Sequence, residues 1–269
     1  QVILREIAAA YGGQSLPVAV PYRRFVTWLA GRDLEVARDA WRGALAGFET
    51  PTLVGPARRW GFAERAVYSM QLPVALTQSL TKLARAQHIT LNIVLQGAWV
   101  QVLSLLTGQH DLAFGVTVAG RPADLPGAES MVGLFINTVP VRARLSATCT
   151  VAGLLDQLQG VHNDTVEHQH LPLSDVHRLT GHDALFDTLF VYENYPFEKV
   201  LKADGLAITS VGSREFNHYP LSLQVLPGVG LGLRVEYATE VFGEADIAAL
   251  VGRLVRVLAA MWVDPAVVL

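Results

Sequence analysis

The densest group of titratable side chains in this sequence lies between positions 162 and 177, where it could bind a metal ion or transfer protons. The group comprises His162, Asp164, Glu167, His168, His170, Asp175 and His177. On a helix, Asp164 and His168 would share a face because they stand four residues apart. The spacing fits no standard zinc pattern, however, and Leu171-Pro172 predicts that the helix ends just after His170. We therefore favour capping, packing or surface roles over a metal site.

Motifs for nucleotide and serine chemistry are missing from the sequence. No glycine-rich loop ends in Gly-Lys-Ser/Thr, and no Gly-x-Gly-x-x-Gly follows a predicted strand. Ser130 lacks the flanking glycines that a nucleophile elbow needs for its tight turn. Cys149 is the only cysteine, which excludes an intrachain disulfide and a cysteine-based zinc site. Nucleotide hydrolysis and serine hydrolysis therefore lose support.

The composition predicts a well-packed soluble protein. Of the 269 residues, 51% are hydrophobic and 17% are charged, and the formal net charge is -3. This balance gives no attraction to nucleic acid, and it leaves room for apolar surface that another segment or domain could cover. No apolar run reaches the ~18 to 20 residues that cross a bilayer, and Gln1–Ala10 lacks a signal-peptide pattern. We expect a cytoplasmic location with no membrane or nucleic-acid partner.

Hydrophobic periodicity predicts helices first and then strands mixed with helices. Helical spacing and capping residues predict helices at 3–11, 22–29, 34–45, 74–87, 91–106, 151–167 and 244–261. Strand-like alternation or β-rich composition predicts strands at 65–72, 111–118, 134–141, 188–193, 219–225 and 231–237. Leu226–Gly230 predicts a hairpin turn between the last two strands. This order predicts an α/β fold of layered α+β type, in which a mixed sheet of three to five strands carries packed helices and follows a helical extension.

Two neighbouring segments carry the most informative resemblance. Gly120-Arg121-Pro122 is followed by the run Met131–Arg142, which is spelled MVGLFINTVPVR. Together they resemble the signature of nonribosomal peptide synthetase condensation domains.

Three further segments resemble motifs of the same family and occur in family order. Tyr22–Trp28 (YRRFVTW) is similar to Tyr-x-Asp-Phe/Tyr-Ala-x-Trp, with Arg24 where Asp is common. His168–Leu173 (HQHLPL) is similar to His/Asn-Gln-Asp/His-x-Pro-Phe, with Leu at the position of the usual Phe. Leu185–Pro196 resembles a late strand of the family, although Arg178–Ala184 departs from the motif expected before it. The resemblance thus covers essentially the whole chain.

This resemblance implies a fold and a reaction. A condensation domain resembles chloramphenicol acetyltransferase and has two similar lobes arranged in a V. Phosphopantetheine arms of two carrier proteins enter a tunnel between the lobes, where the amine of an acceptor aminoacyl thioester attacks a donor acyl thioester. The family's His-His-x-x-x-Asp-Gly motif belongs to the N-terminal lobe, and none of the eight histidines here stands in such a motif.

The resemblance therefore implies that residues 1–60 are connecting helices and that residues 61–269 are the C-terminal lobe of such a domain. This chain would be catalytically incomplete alone. Its partners would be peptidyl or acyl carrier proteins, the N-terminal lobe and a neighbouring adenylation domain. It would bind no cofactor directly, because the phosphopantetheine arms belong to the carrier proteins.

The resemblance also implies which residues form the tunnel wall. Gly120, Arg121 and Gly133 would belong to the floor loop beneath the tunnel, where glycine permits a close backbone approach. Asn137 and Asn194 are the polar side chains expected nearest the tunnel, although Asn194 could equally be a turn residue. Arg121 and Arg142 could orient a pantetheine arm or hold the loop through a salt bridge, and for Arg121 we favour the latter. The positions assigned to structural motifs are Tyr22, Trp28, Arg142, His168, Gln169 and Pro172.

Two other functions stay open. The chain could be a non-catalytic lobe that docks a carrier protein, or an acyltransferase of the same superfamily that completes its site in an oligomer. The subtype (condensation, epimerisation or cyclisation), the amino acids joined, the donor stereochemistry and the product also stay open.

Overall fold

The computed structural model describes residues 2–55, 64–193, 202–203, 206–207 and 217–269. Its helices there are α1 (Val2–Tyr11), α2 (Arg23–Ala30), α3 (Leu34–Ala44), α4 (Val74–Ala86), α5 (Leu91–Thr107), α6 (Val151–Thr165), α7 (Leu173–Thr180) and α8 (Glu244–Val263). Its strands are β1 (Arg65–Gln71), β2 (Asp111–Val118), β3 (Asn137–Arg144), β4 (Thr188–Tyr192), β5 (Lys202–Ala203), β6 (Leu206–Ala207), β7 (Leu221–Leu226) and β8 (Gly232–Ala238). Every helix and strand predicted from the sequence is therefore present, with shifts at the ends.

Six strands form one mixed sheet in the order β1-β8-β7-β4-β2-β3. The central strand β4 runs parallel to β2 and β7, and the remaining neighbours are antiparallel. The mixed sheet confirms the predicted fold class, but the prediction of three to five strands in the sheet is wrong. The count is higher because all six predicted strands join the same sheet, each pairing with one or two neighbours. A separate pair, β5 and β6, is antiparallel.

Helices cover both faces of the sheet. Along β2, Phe114 belongs to a large core with α4, α5, α6 and α8, whereas Ala113 belongs to a second core with α3 and α7. This alternation follows from the two-residue period of a strand. The sheet is thus the middle of three layers, and its strand ends can be held in place from both sides.

Helix α5 lies in the large core, as its apolar composition predicts. Thr90 caps its start through the Ile93 backbone N–H (3.3 Å), and Gly108 ends it with a left-handed φ of 71°. Among the described residues, no single helix is long and apolar enough to cross a membrane, and the one pair that passes together, α4 with α5, is bent by 106°.

Helix α3 joins the N-terminal helices to the second core. Asp33 caps its start by accepting hydrogen bonds from the Glu35 and Val36 backbone N–H groups, as the sequence predicts. Trp41 is 1% exposed, and its indole Nε1 donates to the His168 carbonyl oxygen at 3.0 Å. Helix α3 therefore connects the segment before α7 to the core.

The predicted strand 134–141 begins too early. The pairing of β2 with β3 ends at Val118 and Asn137, and the residues before Asn137 have no partner strand. Leu134 and Ile136 are instead 74% and 54% exposed. Their alternation with buried Phe135 looks strand-like in the sequence, but a strand also needs a neighbour, which the chain no longer supplies once it leaves the sheet after β2.

The helix predicted to reach Glu167 ends earlier. Helix α6 stops at Thr165, and a single 3-10 turn, Val166–His168, follows it. Pro172 ends this region as predicted, but it also stands immediately before α7, a helix that the sequence patterns do not reveal.

Candidate functional site

A cleft of ≈ 890 Å³ opens between α2, the segment that leaves β2, and the turn before α7. We call residues 119–136, which connect β2 to β3, the cleft loop. The cleft is lined by Tyr22, Phe25, Trp28, Leu29, Arg32, Ala119, Gly120, Arg121, Pro122, Ala123, Asp124, Leu134, Phe135, Ile136, Asn137, Val166, Glu167, Gln169, His170 and Pro172. The predicted residues Tyr22, Trp28, Gly120, Arg121, Asn137, Gln169 and Pro172 therefore meet at one cavity.

Three predicted residues are placed differently. Arg142 and His168 do not line this cleft, and Gly133 lies behind it against Tyr22. Asn194 lies outside the described residues.

Two glycines allow the cleft loop to close on itself and on α2. Gly120 has a φ of 58°, and a Cβ there would lie 1.8 Å from the Phe135 carbonyl oxygen. At Gly133 a Cβ would lie 2.0 Å from the Tyr22 ring. Since real contacts of Cβ atoms are longer than 3.0 Å, any side chain at either position would push the loop away from its neighbour.

A small apolar cluster, separate from the two cores, holds the cleft loop against α2. It consists of Phe25, Leu125, Ala128, Met131 and Phe135, all less than 9% exposed. The Tyr22 hydroxyl adds a hydrogen bond to the Leu134 carbonyl oxygen. The cleft loop and α2 are thus held together by an apolar cluster that is independent of the two cores on the sheet.

Arg32, Trp28 and Asp124 form the charged corner of the cleft. The Trp28 indole Nε1 donates to Asp124 Oδ2 at 3.1 Å, and the Arg32 guanidinium pairs with the same oxygen. The Arg32 guanidinium carbon also lies 3.8 Å from the Trp28 ring centroid. The indole N–H and the guanidinium hold the pKa of the Asp124 carboxyl below its ordinary value.

Sequence reasoning missed both members of this ion pair. Arg32 lies beyond the end of α2 at Ala30, so helical spacing does not single it out as a neighbour of Trp28. No local signal connects Asp124 to a partner 92 residues away.

Arg121 supports the cleft loop. Its Nη1 donates to the Ala128 and Met131 carbonyl oxygens, the latter at 3.1 Å, and its guanidinium carbon lies 4.1 Å from the Phe135 ring centroid. The sequence favours a salt bridge that holds the loop, whereas the Arg121 guanidinium contacts backbone carbonyl oxygens and the Phe135 ring.

Asn137 joins the start of β3 to the turn before α7. Its Nδ2 donates to the carbonyl oxygens of Gln169 and Leu171, both at 2.8 Å. Its Oδ1 accepts from the Thr138 backbone N–H at 2.9 Å. Both amide hydrogens are therefore already used within the protein.

His170 faces Trp28 across the cleft, with ring centroids 6.0 Å apart and ring planes at 80°. Its Nδ1 lies 3.0 Å from the Glu167 carbonyl oxygen. Because a carbonyl oxygen can only accept, Nδ1 must carry the hydrogen. Burial lowers the pKa of His170 from its ordinary value of 6.5, which favours the neutral ring.

Arg142 sits at the other end of the β2–β3 pair and is 5% exposed. Its Nε and Nη2 donate to the two carboxylate oxygens of Asp111 at 2.7 and 2.6 Å, and Nη1 donates to the Ala46 carbonyl oxygen at 2.8 Å. His168 contributes its carbonyl oxygen to Trp41.

Within the part of the chain that the structure describes, no group of three or more His, Cys, Asp or Glu side chains could hold a metal ion.

Comparison with known proteins identifies the family. The family model described as "Condensation domain" matches residues 1–269. The chain belongs to the condensation-domain family. A linear gramicidin synthase of Brevibacillus parabrevis is 37% identical over 96% of the chain, and surfactin synthase subunit 3 of Bacillus subtilis (strain 168) is 35% identical over 93%. The chain spans only 5% and 20% of these two proteins.

Solved condensation-domain structures share the fold. The condensation domain from Monacolin K polyketide synthase MokA superposes with a TM-score of 0.81 at 19% identity, over 99% of this chain and 66% of that chain. Three of the segments that resemble family motifs in the sequence, at the start of α2, in the cleft loop and in the turn before α7, contribute residues to the lining of the cleft.

Proposed function

We propose that this chain is the C-terminal lobe of a condensation domain that joins two carrier-bound substrates through an amide bond. The observation that carries the proposal is the convergence on one cleft of three of the four segments that resemble the family's motifs. Tyr22, Pro172 and the pair Gly120 and Asn137 come from three distant parts of the sequence, yet all of them line that cleft. A surface built from the family's signature is the best candidate for contact with the reacting groups.

In the proposed reaction, the amine nitrogen of an acceptor aminoacyl thioester attacks the carbonyl carbon of a donor acyl or peptidyl thioester. The new C–N bond forms, the C–S bond breaks, and the donor arm leaves as a thiol that takes up the proton released from the amine. Both thioesters are attached to phosphopantetheine arms of carrier proteins. Holding two tethered reactants in contact supplies much of the rate enhancement for such a step.

The proposed share of this lobe is to form one wall of the reaction site and to exclude water from it. Arg121 and Asn137 direct their hydrogens to backbone carbonyls, so their role is to fix the wall. Gly120 and Gly133 keep the loop close to Phe135 and Tyr22. Asn194 stays a predicted tunnel residue.

The division into lobes has separate support. The superposition with the MokA structure covers 99% of this chain but only 66% of the solved chain. The eight histidines of the sequence include no adjacent pair, so the His-His-x-x-x-Asp-Gly motif must come from elsewhere if the family's chemistry operates. We propose that an upstream lobe supplies it, and that carrier proteins and an adenylation domain are the neighbours.

A condensation assay with mass-spectrometric detection tests the proposal. Donor-loaded and acceptor-loaded carrier proteins are mixed with this chain alone, with the chain joined to an upstream lobe carrying the motif, and with the same fusion in which the second motif histidine is alanine. We expect amide product from the intact fusion only.

Other outcomes would overturn parts of the proposal. Product from this chain alone would contradict its dependence on an upstream lobe, and a trimer that forms product would indicate a self-completing acyltransferase. No product from any sample, together with carrier-protein binding, would indicate a docking lobe.

A further inference from the structure

The mouth of the cleft is aliphatic. Leu134, Ile136 and Val166 line it and are 74%, 54% and 44% exposed. Val132 belongs to the same extended segment as Leu134 and is 46% exposed, but it does not line the cleft. Exposed aliphatic side chains that gather around one cavity indicate a surface that binds an apolar group, because covering them removes apolar area from water.

The interior continues this apolar character. Phe25 and Phe135 line the cleft with their rings 4.5 Å apart between centroids, and Trp28 stacks on Phe25 at 5.8 Å. These rings add an aromatic part to the apolar lining of the cleft.

The formal charges of the Arg, Asp and Glu side chains that line the cleft sum to zero. Two guanidinium groups, of Arg32 and Arg121, and two carboxylates, of Asp124 and Glu167, line it. Arg32 is paired with Asp124, while Arg121 donates to backbone carbonyls. Glu167 is exposed to water at the rim. A ligand carboxylate or ammonium would therefore lose its hydration in a cleft whose formal charges sum to zero and whose Arg32 and Asp124 groups already pair with each other.

We infer that this cleft selects an uncharged, apolar acyl or aminoacyl side chain, and that the Arg32–Asp124 pair sets this selectivity by keeping the cleft electrically neutral. The inference rests on the proposed function, since it names the class of substrate that the site accepts. Trp28 is central to the arrangement because it contacts both members of the pair, Asp124 through its N–H and Arg32 through its ring face.

The pair also makes the inference testable through charge. In Asp124→Asn the side-chain oxygen can still accept the Trp28 N–H, but the Arg32 cation loses its counter-charge. That variant should admit a carboxylate. In Arg32→Gln the Asp124 carboxylate remains without its cation, and that variant should admit an ammonium group.

Isothermal titration with three stable substrate mimics provides the measurement: leucyl-, glutamyl- and lysyl-pantetheine in which an amide replaces the thioester. For the unchanged protein we expect the leucyl probe to bind at least about tenfold more tightly than the other two. Asp124→Asn should strengthen binding of the glutamyl probe, and Arg32→Gln that of the lysyl probe, each by about two- to fivefold, because a partly exposed charge is screened by water.

A matched pair of aliphatic variants locates the binding surface. Leu134→Ser and Ile136→Ser should each weaken leucyl-probe binding by about tenfold, whereas Val132→Ser should leave it within about twofold. Thermal unfolding of each variant checks that the fold is retained. Equal affinities for the three probes, no leucyl binding at millimolar concentration, or an equal loss in Val132→Ser would each overturn the inference.

The condensation assay separates this inference from the proposed function. Amide product from the fusion without probe selectivity would overturn the selectivity alone. Probe selectivity without amide product from any fusion would leave a selective apolar cleft and overturn the proposed reaction.

Discussion

The two ion pairs near the ends of the β2–β3 strands use the same chemistry for opposite purposes. At one end, the Arg142 guanidinium is 5% exposed and holds Asp111 and the Ala46 carbonyl oxygen. Near the other end, beside the cleft, Arg32 and Asp124 are 33% and 61% exposed. A buried charge depends on its partner for stability, whereas an exposed one is screened by water. The first pair therefore stabilises the fold, and the second adjusts the charge of a binding surface.

The largest expected effect comes from removing the buried arginine. Arg142→Ala removes one of the two donors to the Ala46 carbonyl oxygen, which keeps Arg144 Nη2 at 3.0 Å, and leaves Asp111 without its bidentate partner. We expect a loss of about 3 kcal/mol in the free energy of unfolding, measured by urea denaturation. Arg144→Ala is the control, because Arg144 is 58% exposed and lies 3.6 Å from the same carboxylate. A loss in the control as large as in Arg142→Ala would contradict the contrast between the two ends.

A second variant tests whether the cleft end depends on close backbone approach. Gly133→Val places side-chain atoms where the Tyr22 ring now lies, so the cleft loop must move away from α2. We expect a loss of about 2 kcal/mol in stability, typical of overpacking, together with weaker binding of the leucyl probe.

Gly160→Ala on α6 is the matched control for this variant, because a Cβ at position 160 meets nothing within 4 Å. Alanine there should leave probe binding unchanged and raise stability by up to about 1 kcal/mol. Unchanged probe binding in Gly133→Val would show that the position of the loop does not matter for the cleft.

A smaller change sharpens the comparison at the exposed pair. Trp28→Phe keeps an aromatic ring beside Arg32 but removes the N–H donated to Asp124. We expect only a small fall in stability, well below that of Arg142→Ala, since the bond lies near solvent. In the same titrations, the discrimination between leucyl and glutamyl probes should decrease. A stability loss as large as that of Arg142→Ala would place the exposed pair among the main determinants of the fold.

The contrast between the Arg142 end and the cleft end of the β2–β3 pair also explains which features can be predicted from the sequence. Helix α5 and strand β2 are predictable because most of their side chains are buried, which makes each a nearly continuous apolar run, and Thr90 and Asp33 mark helix starts by local hydrogen bonds. The beginning of β3 is not predictable in this way. Leu134 and Ile136 alternate like strand residues, but only the position of a distant partner decides whether they pair.

The family resemblance locates the cleft segments but not their chemistry. The motif positions Tyr22, Gly120 and Asn137 lie at the cleft, whereas the Arg32–Asp124 pair depends on contacts between α2 and a loop about ninety residues away, which no local pattern encodes. Helix α7 is hidden in the sequence because Pro172 signals both the end of one segment and the start of another.

The smallest expected effect concerns pH at the cleft end. Burial lowers the pKa of His170 below 6.5 in the folded protein, with Arg32 and His168 acting in the same direction and the bond to the Glu167 carbonyl oxygen opposing them. The unfolded chain therefore binds the proton more readily, and His170 should destabilise the fold as pH falls below about 6.5, with no effect above it.

In His170→Asn, the decline in unfolding free energy between pH 7.5 and 5.5 should be shallower than in the unchanged protein. His177→Asn, whose histidine is also shifted down by burial but lies in the second core, should flatten the same decline without altering probe binding. If His170→Asn leaves the pH dependence unchanged, the ring is already protonated or freely hydrated in the folded cleft.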